Sequence, residues 1–145
     1  MPVKNWEINS LEVRRYSRLD EKLQNVKIDQ NSTVTMIVPK TEEEVEIDFR
    51  FTVVYGNGSI GNMRIEGKLV FGCKAQDVAK QWNATHNMPD DMASEIHTFV
   101  MGNCITEAVI LARDVRLPPP IPLPRVEVGK QGQAQPKLDR SPEIA

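Results

Sequence analysis

Few side chains in this chain are suited to bind a metal ion or act as a nucleophile: it has two histidines and two cysteines. His97 and Cys104 stand about two turns apart on one predicted helix, so together with Cys73 they form one conceivable metal site. Zinc sites are normally marked by closely paired ligands such as Cys-x-x-Cys, and no such pair occurs here. We therefore expect no metal and no cofactor, and we interpret both cysteines as small apolar side chains.

The acidic and glycine-rich segments have structural explanations. The acidic run at 42–44 lies between two predicted strands, where a solvated turn accounts for it. Asp90 and Asp91 follow Pro89 at a predicted helix start, where carboxylates complement the helix dipole. The segment 56–61 lacks the Lys-Ser/Thr of a phosphate loop. Because no acid, base or nucleophile converges, we expect that the protein is not an enzyme.

The composition favours one domain in the cytoplasm. The chain has 145 residues, is 40% hydrophobic and carries a net charge of -2. Lys and Arg form no block, which argues against a nucleic-acid partner. The sequence contains neither the run of roughly 18 apolar residues that spans a membrane nor the apolar core of a secretion signal. We therefore expect no membrane insertion.

Alternating apolar and polar residues predict a β-sheet. Residues 45–55 and 63–73 form a hairpin around the glycine-rich turn at 56–61. Gly67 interrupts the apolar face, which predicts a bulge or a close approach by another backbone. The alternation at 33–38 predicts a strand before this hairpin. A looser alternation at 8–16, with a phase slip near Ser10, predicts the first strand. The segment between them, 18–31, is a crossover or a strand continuation. We predict a four-stranded antiparallel meander.

After Cys73 the apolar spacing becomes helical. Residues 75–82 predict a short helix, and a second helix runs from about Pro89 to Val115, with a weak point at Gly102. The second helix is apolar over more than one stripe, so it has surface for the sheet and for a subunit or client as well. The predicted fold is therefore α+β, with the meander packed against two C-terminal helices.

A proline-rich segment at 117–124 follows the long helix and must be extended. One interpretation is an exposed ligand for a partner with an aromatic groove. The other is that Leu117, Ile121 and Leu123 anchor the segment across the domain's own surface, which the regular aliphatic residues favour. Residues 129–145 lack periodicity, so we expect a domain at 1–128 and a disordered tail at 129–145.

This order of elements resembles the SecB-type protein-export chaperones. The similarity lies in residues 25–29, 45–55, 103–109 and 117–124, within about 11–126. It implies a homo-oligomer, a dimer or tetramer, that holds unfolded or partly folded polypeptide without ATP. The chain is only mildly acidic, and Lys130, Lys137 and Arg140 follow, which argues against delivery to an export motor. A relative that serves toxin–antitoxin partners fits as well as one that serves protein transport.

The resemblance also implies where clients and subunits would bind. The positions lining a polypeptide groove would be Leu19, Leu23, Val26, Val78, Trp82, Leu117, Ile121 and Leu123. The oligomer interface on the long helix would include Phe99, Ile105, Val109 and Ala112. Trp82 also has a simpler interpretation as a core residue. The alternative function is a structural or adaptor subunit that uses the same surfaces for one fixed partner, without chaperone activity.

Overall fold

The computed structural model describes residues 3–23 and 25–121, which form a four-stranded antiparallel sheet with two helices. The strands are β1 (Val3–Arg15), β2 (Ile28–Thr41), β3 (Glu44–Tyr55) and β4 (Gly61–Gly72), and the helices are α1 (Ala75–Thr85) and α2 (Asp90–Asp114). The predicted α+β class is confirmed. The predicted boundary at residue 128 and the predicted tail lie outside the described residues.

The strand order across the sheet is β1-β4-β3-β2. β2, β3 and β4 follow one another as a meander, whereas β1 pairs with β4 at the edge opposite β2. Arg15 at the end of β1 pairs with Gly61, Gly61 pairs with Tyr55, and Tyr55 pairs with Ile28 at the start of β2. The link between β1 and β2, which we call the crossover (residues 16–23 and 25–27), therefore passes over one end of the sheet.

Gly67 allows β1 to approach β4 closely. A Cβ atom at Gly67 would overlap the carbonyl oxygen of Glu7 and lie 2.8 Å from Cζ of Phe49. The register between the two strands shifts directly opposite, between Ile8 and Ser10. The phase slip predicted near Ser10 and the close approach predicted at Gly67 are confirmed, and they belong to a single bulge.

A second bulge changes the face that β2 presents. Its register shifts between Val34 and Met36, so that Val34 and Ile37 face the core while Met36 and Val38 are exposed. One inserted residue moves all later side chains of a strand to the other face. The simple alternation of Val34, Met36 and Val38 therefore does not identify the buried side of this strand.

The core lies between one face of the sheet and the two helices. Alternate residues of β3 from Val45 to Tyr55 are buried, and α2 crosses this face in contact with β1, β2 and β3. The buried residues of α2 recur every four positions: Met92, Ile96, Val100, Cys104, Ala108 and Ala112. The helix continues through Gly102. Within the described ranges, no helix is both long and apolar enough to cross a bilayer.

Candidate functional site

The chain reverses at the end of α2. Arg116 adopts a left-handed conformation with φ at 60°. The N–H of Leu117 donates to the carbonyl of Ala112 at 2.8 Å, and the N–H of Arg116 donates to the carbonyl of Arg113 at 3.2 Å. These two bonds are the Schellman motif, which satisfies the last helix carbonyls. The reversal directs the following residues back across the sheet.

Residues 117–120, which we call the strap, cross the same end of the sheet as the crossover. Leu117 lies against Gly61 of β4, where an added Cβ would come 3.1 Å from Cδ1 of the leucine. The hydroxyl of Tyr55 on β3 donates to the carbonyl of Pro118 at 2.7 Å. The side-chain amide of Gln30 on β2 donates to the carbonyl of Pro120. The described part of the proline-rich segment thus lies across the domain's own sheet, with Leu117 as an anchor.

Arg15, the last residue of β1, joins the crossover to the end of α2. Its guanidinium donates to the carbonyl oxygens of Ser17 at 3.0 Å and Arg18 at 2.9 Å. It also donates to the carbonyls of Val115 and Arg116, on the other side of the same end of the sheet. A planar guanidinium with five donors is suited to hold several carbonyls at once.

A groove opens between the crossover, the C-terminal end of α2 and the strap. Its volume is about 740 Å³, and it is lined by Arg15, Leu19, Glu21, Leu23, Val109, Ala112, Arg113, Arg116, Leu117, Pro118 and Pro119. The side chain of Leu19 is 65% exposed. The volume lies in the range of typical ligand sites, and the apolar lining with a few charged groups is typical of such sites.

The groove brings together three of the predicted polypeptide-binding residues, Leu19, Leu23 and Leu117. Val26 is partly buried against the core, outside the groove lining. Ile121, just beyond the strap, is exposed. Leu123 lies outside the described residues.

Val78 and Trp82 are buried on α1, away from the groove. The ring of Trp82 meets His86 edge-on, with ring centroids 5.3 Å apart. Trp82 also borders a second, more polar hollow of about 520 Å³ that includes Ser32 and His97. The structure thus places both residues mainly in the core, which agrees with the simpler interpretation of Trp82 and leaves them little surface for a client.

The residues predicted to form the oligomer interface also differ in how much surface they expose. Phe99, Ile105 and Val109 are partly buried, and Phe99 meets Trp6 of β1 edge-on, with ring centroids 5.6 Å apart. Ala112 is buried within the protomer and forms part of the groove wall. It therefore has almost no surface to offer a second copy.

Burial favours the uncharged forms of His97 and of both cysteines. Nδ1 of His97 lies 2.7 Å from the hydroxyl of Ser32, and burial lowers the pKa of the imidazole. Burial and the nearby Glu107 raise the pKa of Cys104 to about 11, and burial raises the pKa of Cys73. Among the described residues, no group of three or more His, Cys, Asp and Glu side chains is arranged to hold a metal ion.

Sequence reasoning missed the charged residues of the groove, Arg15, Glu21, Arg113 and Arg116. Arg15 is about 100 positions away from the helix end that it contacts. No local pattern marks such a pairing, because the strand order that brings the two segments together is a property of the whole sheet.

The sheet, the two helices and the returning strap define a SecB-like fold. Among solved structures, the chain is similar to the Mycobacterium tuberculosis SecB-like chaperone Rv1957 in complex with a ChAD peptide from the Rv1956 HigA1 antitoxin. The TM-score is 0.56 with 10% sequence identity, and the match covers 86% of this chain and 89% of that one. No protein-family model matches the chain, and no curated protein matches it. At this identity the shared property is the fold.

Proposed function

We propose that the protein is an ATP-independent holding chaperone that binds unfolded or partly folded polypeptide in the groove. The observation that carries this proposal is the cluster of Leu19, Leu23, Val109 and Leu117 around an open hollow of about 740 Å³. A mainly apolar groove recognises apolar side chains without reading a particular sequence. That is the selectivity which a protein needs in order to hold many non-native clients.

The strap favours a groove that exists before a client arrives. Each proline has a fixed φ angle and no N–H group, so the strap can neither relax freely nor extend the sheet. The bonds from Tyr55 and Gln30 hold its carbonyls in place. A preformed wall reduces the ordering entropy that binding costs.

The expected affinity suits reversible holding. A client that buries about 300 Å² of apolar surface gains roughly 7.5 kcal/mol at about 25 cal/mol per Å². Association costs several kcal/mol of translational, rotational and side-chain freedom. One groove therefore binds weakly and releases without ATP, and several grooves on one oligomer would hold a long client more firmly.

The similar M. tuberculosis structure supports the proposal at the level of the fold, because that SecB-like chaperone is in complex with a peptide from an antitoxin. Fold alone does not define function, so the lining of the groove is the main support for the proposal. We further propose that the chain self-associates as a dimer or tetramer through the outer surface of α2. Half-buried Phe99 and Ile105 and exposed Ile110 supply apolar surface there.

The test is suppression of the aggregation of a chemically denatured model protein as it is diluted into buffer. Leu19→Ser removes an exposed groove side chain and should weaken protection several-fold without unfolding the protein. Met36→Ser is the control, because Met36 is also apolar and exposed but lies on the other face of the sheet.

Absence of protection by the unmodified protein, even at several-fold excess over the client, would contradict the proposal. Equal loss of protection in both variants would show that the groove is not the binding site. A single stoichiometric partner recovered by co-purification, together with no protection, would support an adaptor subunit instead.

A further inference from the structure

The groove carries an excess of positive charge, although the whole chain has a net charge of -2. Among the described residues, three arginines line it, Arg15, Arg113 and Arg116, against one acidic residue, Glu21. The local balance is therefore opposite in sign to that of the molecule. An anionic group near the groove is attracted by this excess.

The hydrogen-bond partners of Arg15 are neutral carbonyl groups. Arg15 donates to the carbonyl oxygens of Ser17, Arg18, Val115 and Arg116, and among the described residues no carboxylate forms an ion pair with it. Carbonyl dipoles orient the guanidinium but do not neutralise it. The inner wall of the groove is thus positive.

Glu21 does not neutralise the charges of Arg113 and Arg116, the two arginines at the end of α2. Its carboxylate accepts the backbone N–H of Arg18, which closes a turn of the crossover. Arg113 and Arg116 are exposed, and no ion pair within residues 3–23 and 25–121 includes either of them. The nearby Arg18 is already paired with Asp20 at 3.2 Å.

The position of Arg116 is fixed by the backbone. It is the left-handed residue of the Schellman motif, so its Cα lies at the corner between α2 and the strap. Arg113 lies in the last turn of the same helix, where a cation also complements the negative end of the helix dipole. Two arginines therefore stand at one rim of the apolar groove.

We infer that the groove selects apolar polypeptide segments that are flanked by Asp or Glu. The apolar side chains would lie among Leu19, Leu23 and Leu117, and the flanking carboxylates would pair with Arg113 and Arg116. Guanidinium and carboxylate groups match in geometry and form charge-assisted hydrogen bonds. This inference rests on the proposed function, because it takes polypeptide as the occupant.

The test uses three labelled peptides that share one apolar core and differ only in two flanking residues, which are Glu, Gln or Lys. Fluorescence anisotropy measures their binding to the full chain at low and high salt. Exposed ion pairs are weak, so we expect the Glu peptide to bind about three- to tenfold more tightly than the Gln peptide at low salt. The Lys peptide should bind most weakly, and high salt should reduce the differences.

Two sets of variants test whether the preference for the Glu peptide depends on the arginines at the rim of the groove. Arg113→Gln combined with Arg116→Gln should bring the Glu peptide to the affinity of the Gln peptide. Lys80→Gln on α1 is the matched control, because it removes one exposed positive charge outside the groove. It should leave the preference for Glu unchanged.

The outcomes separate this inference from the proposed function. Equal binding of all three peptides, or tightest binding of the Lys peptide, would overturn the charge preference while the groove remained a polypeptide site. Failure of all three peptides to bind would overturn the proposed function as well. The salt dependence of the unmodified protein tests the preference independently of whether the double variant folds.

Discussion

Arg15 is the side chain on which both walls of the groove depend. Its hydrogen bonds reach the crossover at Ser17 and Arg18 and the helix end at Val115 and Arg116. Lysine keeps the charge but has a single donor group, so it cannot hold all of these carbonyls in one plane. A change at this one position should therefore loosen two segments that are far apart in sequence.

We predict that Arg15→Lys lowers the free energy of unfolding by about 2 kcal/mol, because hydrogen bonds from a charged donor are lost and carbonyls are left unpaired. Urea denaturation measures this change. Arg14→Lys is the control, since Arg14 is largely exposed and its contact with Glu12 spans 3.6 Å; its effect should stay within about 0.5 kcal/mol. Similar losses in the two variants would contradict the structural role of Arg15.

His97 gives the folded protein a defined response to acid. Burial lowers its pKa below the ordinary value of 6.5, so at mildly acidic pH the unfolded chain binds a proton that the folded protein does not. Stability should therefore fall as the pH drops through about 6.5, by at most about 1.4 kcal/mol per pH unit, the limit for one proton. The hydroxyl of Ser32 forms a hydrogen bond with Nδ1 of His97, as donor or acceptor, and Asp90 lines the same polar hollow as His97.

Unfolding by urea at pH 7.5 and at pH 5.5 measures this response. His97→Gln should lose less stability between the two values than the unmodified protein does. His86→Gln, at the exposed end of α1, serves as the control and should retain the full dependence. The same pH dependence in all three proteins would rule out His97 as its source.

The strap and the crossover are the elements that make the groove, and neither is a helix or a strand. Tyr55 on β3 joins the strap to the sheet, and burial raises the pKa of its hydroxyl to about 12. The hydroxyl therefore stays protonated and remains a donor over the whole physiological pH range. This bond positions one wall of the groove relative to the core.

Tyr55→Phe should cost about 1–2 kcal/mol of stability, because the carbonyl of Pro118 loses its partner. It should also weaken binding of the neutral-flanked peptide, since the strap becomes less well ordered. Tyr16→Phe is the control: Tyr16 is exposed, and among the described residues its hydroxyl accepts one long hydrogen bond, from the amide of Asn62 at 3.5 Å. Unchanged peptide affinity in Tyr55→Phe would show that the strap keeps its position without this bond.

Sequence reasoning succeeded where the determining signal was local. The glycine-rich turn was predictable because Gly56 and Gly58 can adopt the positive φ angles that they have in the structure. The bulge opposite Gly67 was predictable because a missing side chain marks a close backbone approach. The bulge of β2 near Thr35 was not, since no glycine or proline stands there to mark it.

The groove itself could be predicted only in part. The apolar residues of the crossover and strap suggested a binding surface, and Leu19, Leu23 and Leu117 do meet. Val78 and Trp82 were predicted to line the groove but are buried on α1 outside it. The prediction failed there because an amphipathic pattern does not distinguish a helix face that packs on the core from one that binds a client. The arginines were missed because their proximity depends on β1 lying beside β4.

At the scale of the whole molecule, apolar surface remains along the outer side of α2. Ile110 is 42% exposed, and Phe99 and Ile105 are partly buried. We predict a dimer or tetramer in solution that Ile110→Glu shifts toward smaller species, because burying the new carboxylate costs free energy. Sedimentation or light scattering measures the mass.

Met36→Glu, on the opposite face of the sheet, is the control for this prediction and should not change the mass. A monomer for the unmodified protein at micromolar concentration would contradict self-association. An unchanged mass for Ile110→Glu would place the interface elsewhere.

The hydrogen bonds from Arg15 to the carbonyls of Val115 and Arg116 can form only late in synthesis, because 100 positions or more separate these residues along the chain. Strands β2, β3 and β4 are sequential and close with short turns, so they can pair while the rest of the chain is still being made. The groove needs its last wall, which is complete only after Pro119 has left the ribosome. A nascent chain therefore exposes its own apolar sheet before it has any site for a client, and such exposed apolar surface is prone to aggregation.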